Sequence, residues 1–155
     1  MNKVRVSLDS LKDNNIFELL DQHRQEMLKH SPPESVHALK AEDLRRPELQ
    51  FWSAWLGENF AGCGALKELD ATHGEIKSMK TADGFLRNGV ARALLETIIE
   101  EGRKRNYQRL SLETGSMDVF IPARRLYEAF GFRECPPFGD YFEDPLSVCM
   151  NLELG

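Results

Sequence analysis

The segment from Met79 to Leu95 (Met-Lys-Thr-Ala-Asp-Gly-Phe-Leu-Arg-Asn-Gly-Val-Ala-Arg-Ala-Leu-Leu) joins a strand-like run to an amphipathic helix through a loop holding Gly84 and Gly89. A helix that starts near Gly89 leaves its first backbone N–H groups unpaired and turns the positive end of its dipole toward the loop. Gly89 and Ala91 are small enough for a phosphate to approach the backbone, and Arg87 and Arg92 bring positive charge to the mouth. Together these residue types can capture an anion. Gly84 and Gly89 have the glycine spacing of a nucleoside triphosphate loop, but Val90-Ala91 stand where that loop needs Lys followed by Ser or Thr. The dinucleotide fingerprint G-x-G-x-x-G is absent. Gly62-Cys63-Gly64 supplies its first half, yet Lys67 holds the place of its last glycine. The third reading is a loop that takes the pyrophosphate of coenzyme A.

Two motifs carry a resemblance. Leu86-Arg87-Asn88-Gly89-Val90-Ala91 is similar to the pattern [Q/R]-x-x-G-x-[G/A], with Leu86 where Gln or Arg leads. Ala123-Arg-Arg-Leu126-Tyr127-Glu-Ala-Phe-Gly131-Phe132 is similar to A-x-x-L-Y-x-x-x-G-F, with Phe120 where an Asn usually precedes it. On these residues, and on the order of elements below, the chain resembles the GNAT N-acetyltransferases.

That resemblance implies direct transfer of an acetyl group, in a ternary complex, from acetyl-CoA as co-substrate to an amine of a small-molecule acceptor. A peptide or protein N-acetyltransferase and a non-catalytic CoA-binding sensing module are the alternatives. It implies that the backbone of Arg87, Asn88, Gly89, Val90, Ala91 and Arg92 holds the CoA pyrophosphate, and that Met79 and Thr81 pair with the pantetheine arm. Tyr127 takes the place of the general acid for the CoA thiolate, and Glu75 that of a carboxylate general base. No metal is implied. The loop Phe138–Pro145 would border the acceptor pocket, where Asp140, Glu143 and Asp144 with Tyr141 and Phe142 would suit a small cationic amine. A homodimer through the Trp-bearing strand or the last strand is a further implication. Plainer roles stay open for the same residues. Tyr127 also lies on an apolar stripe with Ala123, Leu126 and Phe130, Glu75 can pair with Lys77 or Lys80, and the acidic loop can simply be solvated.

The elements that must position these residues are legible from periodicity. Lys3 to Leu8 alternates as a first strand. Leu11 to His30 reads as a helix, capped by Ser10 and ended by Pro32-Pro33. Phe51–Leu56 and Phe60–Leu69 flank Gly57-Glu58-Asn59 as a hairpin, and Gly74–Thr81 follows as a strand. Ala91, Leu94, Leu95, Ile98, Ile99 and Gly102 fall on one face of a helix from about Gly89 to Asn106. Arg109–Thr114 alternates again, Pro122 to Phe130 is a short helix closed by Gly131, and Ser147–Leu154 is a final strand. A strand, a helix and a strand between Gly74 and Thr114 make a right-handed parallel crossover. The fold expected is one α/β domain over residues 1–155, a mixed, mostly antiparallel twisted sheet flanked by helices, and the resemblance implies that its central parallel strands splay to admit the pantetheine arm.

Composition narrows the partners. The 155 residues carry 20 Lys and Arg against 25 Asp and Glu, a net charge of -5, so general attraction to nucleic acid or anionic membrane is small. The N-terminus lacks the apolar stretch of a signal peptide, and no run reaches transmembrane length, which places the chain in the cytoplasm. Cys63, Cys135 and Cys149 form no C-x-x-C pair and read as buried thiols, not as a disulfide framework or zinc knuckle. His23, His30 and His37 recur every seven residues, but Pro32-Pro33 interrupts any common helix face, so no metal site is expected. Trp52 and Trp55 read as packing residues, one of them a candidate for the acceptor pocket wall.

Overall fold

The computed structural model describes residues 3–37 and 43–155. Its strands are β1 (Val4–Asp9), β2 (Leu49–Leu56), β3 (Asn59–Asp70), β4 (His73–Thr81), β5 (Arg109–Gly115), β6 (Arg133–Cys135) and β7 (Ser147–Glu153). Its α-helices are α1 (Asn15–His30), α2 (Val90–Lys104) and α3 (Ile121–Ala129). The strands form one seven-stranded sheet in the order β1-β2-β3-β4-β5-β7-β6. All neighbours are antiparallel except β4 and β5, which α2 links as the expected parallel crossover. Among the described residues no helix is long and apolar enough to cross a membrane.

Helices cover both faces. Leu94, Leu95, Ile98 and Ile99 of α2 pack with Trp52, Leu66, Ile76 and Leu112 of the sheet, and Tyr127 of α3 joins the same cluster. On the other face Ile16, Leu19 and Leu20 of α1 pack on Phe51, Cys63 and Ala65. The two-residue period of the strands and the apolar stripes of the helices require this layering, because each element must bury one face.

The first helix starts later than its sequence suggests. Asp9 Oδ1 accepts the Leu11 N–H at 2.8 Å and Asp13 Oδ1 accepts the Asn15 N–H at 3.1 Å. These local bonds hold Leu11 at φ 61° and delay the helix to Asn15, so Ser10 is not its cap.

Close packing at β3 makes a sharp test of the layering. A Cβ on Gly62 would lie 2.7 Å from the Lys80 carbonyl oxygen and 2.9 Å from Val90 Cγ1. Gly62→Ala is therefore expected to cost about 1–3 kcal/mol, the usual penalty for overpacking. Urea unfolding measures it, and an unchanged midpoint would refute this approach of β3 to α2.

The parallel ladder is short. It pairs His73–Ile76 with Arg109–Leu112 and stops there. Beyond that point β4 stays with β3, and β5 stays with β7 as far as Gly115 opposite Ser147. At the parting Ser78 adopts φ 57°, the β3–β4 register shifts between Cys63 and Ala65, and the Cys63 thiol donates to the Ser78 carbonyl at 3.3 Å. A bulge of this kind bends and twists its strand, which opens the sheet between its two central strands.

Candidate active site

The loop after β4 delivers the backbone to α2 in a strained, open form. Gly84, Arg87 and Gly89 all have positive φ (89°, 66° and 80°), and Gly89 is the residue that caps α2. A Cβ at Gly84 or Gly89 would meet nothing within 4 Å, so space lies beside the backbone at both. The first intrahelical bond of α2 runs from Ala93 N–H to the Gly89 carbonyl at 3.0 Å, which leaves the N–H groups of Val90, Ala91 and Arg92 without a helical acceptor. No side chain caps this end, and no carboxylate sits in its first turn. The terminus is built for an anion. Arg92 does not lean over the mouth as its sequence position suggests. Its guanidinium stacks 5.1 Å from the Phe130 ring centroid, a contact the short α3 supplies.

From that terminus the open half of β4, carrying Met79 and Thr81, runs to a cleft of about 140 Å³ where the central strands part. Met79, Phe120, Tyr127, His23, His37, Glu75, Lys77, Glu113 and Tyr141 line this cleft, and Glu113 lies near enough to Glu75, Lys77 and Tyr141 to feel their charges. The Tyr127 ring packs 5.9 Å from that of Phe132, and burial pushes its phenol up to about 12, so it holds its proton throughout the neutral range.

Glu75 lies 3% exposed in a tight cluster. Its Oε2 accepts the Tyr141 hydroxyl at 2.5 Å and Lys77 Nζ at 3.3 Å, and Lys77 also donates to the Tyr141 oxygen at 2.9 Å. Burial, then the Glu75 charge, raises the Tyr141 phenol far above its ordinary value. The plainer role for Glu75, partner of Lys77, is thus realised, though inside the protein and not at a strand edge.

Sequence reasoning passed over Glu113. Burial raises its carboxyl to about 7, against an ordinary value of 4.5, so it titrates within the working range of a general base. Two imidazoles also line the cleft, and both are pushed toward the neutral form. Burial and the nearby Lys80 lower His23 to about 4, and burial, then Lys77, lowers His37. The available signal for Glu113 was its place in the strand after the crossover helix, one residue beyond Leu112, where the ladder ends.

The acidic loop contributes less charge to the cleft than its sequence promises. Of its residues Tyr141 alone is a wall of the cleft. Asp144 is bound by the Ser35 hydroxyl at 2.6 Å and the Leu146 N–H at 2.9 Å, and the Phe138 ring packs on His73 and Tyr141. Neither tryptophan lines the cleft: Trp52 is in the core, and Trp55 packs against Phe60 under the Arg5 guanidinium. Among the described residues no three ligand-type side chains gather as a metal site. A larger hollow of about 510 Å³ lies near the C-terminus of α2. Charged groups there are engaged with one another, as Arg46 is with Asp43 at 2.9 Å and Arg105 with Glu101 at 2.9 Å.

A parted parallel pair beside an uncapped helix terminus, in a seven-stranded mixed sheet, defines an acyl-CoA N-acyltransferase fold. Residues 14–132 match the profile of the Acetyltransferase (GNAT) family. The chain is 57% identical, over 97% of its length and 100% of the relative's, to the uncharacterized N-acetyltransferase YsnE of Bacillus subtilis. It is 46% identical to the uncharacterized N-acetyltransferase YedL of Escherichia coli, over 96% of this chain and 98% of that one. A putative acyl-CoA N-acyltransferase from Klebsiella pneumoniae superposes with a TM-score of 0.81, at 22% identity and 98% coverage of both chains. A GNAT acetyltransferase from Elizabethkingia anophelis, solved with acetyl-CoA bound, superposes with a TM-score of 0.72, at 18% identity and 99% coverage of both. The chain belongs to the GNAT family of acetyltransferases, enzymes that use acetyl-CoA as acyl donor.

Proposed function

We propose that this enzyme acetylates the amine of a small-molecule acceptor by direct transfer from acetyl-CoA. The observation that carries the reading is the uncapped α2 terminus, reached from the half of β4 that has left β5, together with a cleft lined by Met79, Tyr127 and Glu113. A fold neighbour crystallised with acetyl-CoA supports the choice of donor. In this reading the N–H groups of Val90, Ala91 and Arg92 receive the pyrophosphate, and Met79 and Thr81 offer backbone partners to the pantetheine arm. Glu113 accepts the proton that the amine loses as it attacks the thioester carbonyl. Tyr127 gives its proton to the departing thiolate. Together the two groups keep charge from building up on either side of the reacting carbonyl. Glu75, already held by Lys77 and Tyr141, shapes the acceptor wall in place of serving as the base.

The confined cleft, with α1, His37 and Tyr141 along its acceptor side, favours a small acceptor over a peptide. The test begins with acetyl-CoA binding by calorimetry, using CoA and ATP as controls, followed by thiol release across a panel of amines and peptides. Micromolar binding of acetyl-CoA without ATP binding, and turnover of small amines, bears the reading out. Turnover of peptide N-termini or lysines alone would move the acceptor to the peptide class, and binding without turnover would leave a CoA sensor.

Gly89 gives the donor site its own test. An L side chain at φ 80° carries roughly 1–2 kcal/mol of strain and stands where the pyrophosphate must approach. Gly89→Ala is expected to weaken acetyl-CoA binding by about tenfold, the equivalent of 1.4 kcal/mol. Calorimetry on the folded variant measures this, and unchanged affinity would take Gly89 out of the site.

A further inference from the structure

β6 is an edge strand of 3 residues, and its Cys135 lies directly opposite Cys149 of β7. Cys149 in turn lies directly opposite Glu113 of β5, so the two thiols and the proposed base form one row on one face of the sheet. Opposed residues of an antiparallel pair have Cα atoms about 4.5–5.5 Å apart and Cβ atoms about as close. A disulfide accepts Cα separations of roughly 4.4–6.8 Å and asks for Cβ atoms about 3.5–4.5 Å apart. A slight inward move of a short edge strand meets that demand. Both thiols are free; Cys135 is half-buried and reachable, and Cys149 is 7% exposed. Phe138 also lies beside Cys149. The Phe138 ring packs 5.0 Å from that of Tyr141, whose hydroxyl holds Glu75.

We propose that Cys135 and Cys149 form a dithiol site that closes to a disulfide by exchange with a low-molecular-weight disulfide, and that closure lowers acetyl transfer. The Cys135 thiolate attacks one sulfur of the small disulfide and releases one small thiol. The Cys149 thiolate then attacks Cys135 Sγ in the mixed disulfide, forms the Cys135–Cys149 bond and releases the second small thiol. Two electrons pass to the small molecule, and the two protons of the protein thiols leave with its two thiols. Closure draws Cys149 toward Cys135 and pulls on the row that carries Glu113. The loss of activity, though not the disulfide itself, rests on the reading of the cleft given above. Burial holds both thiols above their ordinary range, Cys149 up to about 11, so the exchange is slow at neutral pH.

The test exposes the full chain to oxidised glutathione at about pH 8.5, where more thiolate is present, and follows intact mass and acetyl transfer together. The expected product is lighter by two hydrogens. Its activity is lower by about fivefold or more, the lower end of coupling between sites, and is restored by dithiothreitol. Cys135→Ser is expected to keep its activity through the same exposure. Absence of the two-hydrogen loss would overturn the site. Its appearance with unchanged activity, or equal inactivation of Cys135→Ser, would overturn the control of activity. If the reduced protein transfers no acetyl group, the reading of the cleft fails on that fact, and the mass still decides the disulfide.

Discussion

Tyr127→Phe is expected to lower kcat by roughly 10²-fold, the lower end of what general acid catalysis contributes, while acetyl-CoA binds as before. The change removes one oxygen and its proton and leaves the ring against Phe132. Burial alone moves this phenol, and it moves it upward, so at any working pH the group is a donor with its proton in place. A departing thiolate can take that proton as the C–S bond breaks, and without it the thiolate must leave as a charged species into a cleft shielded from water. Because the aromatic packing survives, fold stability and donor affinity are expected to stay near those of the parent. Steady-state kinetics with calorimetry on the same preparation separates the two quantities. A kcat within about twofold of the parent, far short of the 10²-fold or more that an acid supplies, would return Tyr127 to the role of a core residue.

The second large effect belongs to Glu113, where activity and stability are expected to move in opposite directions. As the base it must be ionised, so kcat/KM of the parent should rise with pH, pass its midpoint near 7 and level off above it. Glu113→Gln removes that limb and lowers the plateau by roughly 10²-fold. Stability follows from the same raised carboxyl. In the folded protein Glu113 keeps its proton up to about 7, whereas in the unfolded chain it releases it near 4.5. The parent is therefore fully stable, as far as this group decides, below pH 4.5 and loses stability as pH rises through 7. Glutamine carries no such cost. At pH 8 the variant is expected to be more stable by about 1–3 kcal/mol, with the gap closing toward pH 4.5. Urea unfolding at both pH values checks the sign, and an inactive variant that is also less stable at pH 8 would show that Glu113 is a structural carboxylate.

These two residues were unequally visible in the sequence. Tyr127 sits in a motif with fixed spacing on a helix, where three- and four-residue periodicity states which side chains share a face. The crossover helix and the hairpin were equally local and came through nearly intact. Glu113 depends on where a parallel ladder stops, which is set by a bulge at Ser78 in another strand. A serine at positive φ leaves little trace in an alternating pattern. The Glu75–Lys77–Tyr141 cluster joins residues up to 66 positions apart, a separation local spacing cannot bridge. Charge on the loop Phe138–Pro145 suggested a cationic acceptor, but a carboxylate read from sequence carries no direction. Asp144 proved to be spent on Ser35 and its own turn. Cys135 and Cys149 looked unrelated for the same reason, since thirteen intervening residues hide a direct cross-strand pairing.

The early end of the β4–β5 ladder also has a consequence for how the folded state is held together. Past Ile76 and Leu112 the sheet has an unstitched seam, with the amides of its central strands facing each other across a gap instead of bonding. Hydrogen exchange in the empty enzyme should be fastest, for a central strand, from Lys77 to Thr81 on the side away from β3. A pantetheine arm laid in that gap would act as a removable eighth strand. Each hundredfold excess of donor over its dissociation constant then adds about 2.7 kcal/mol to the stability of the whole sheet. The melting temperature of this protein thereby becomes a gauge of how much acetyl-CoA surrounds it.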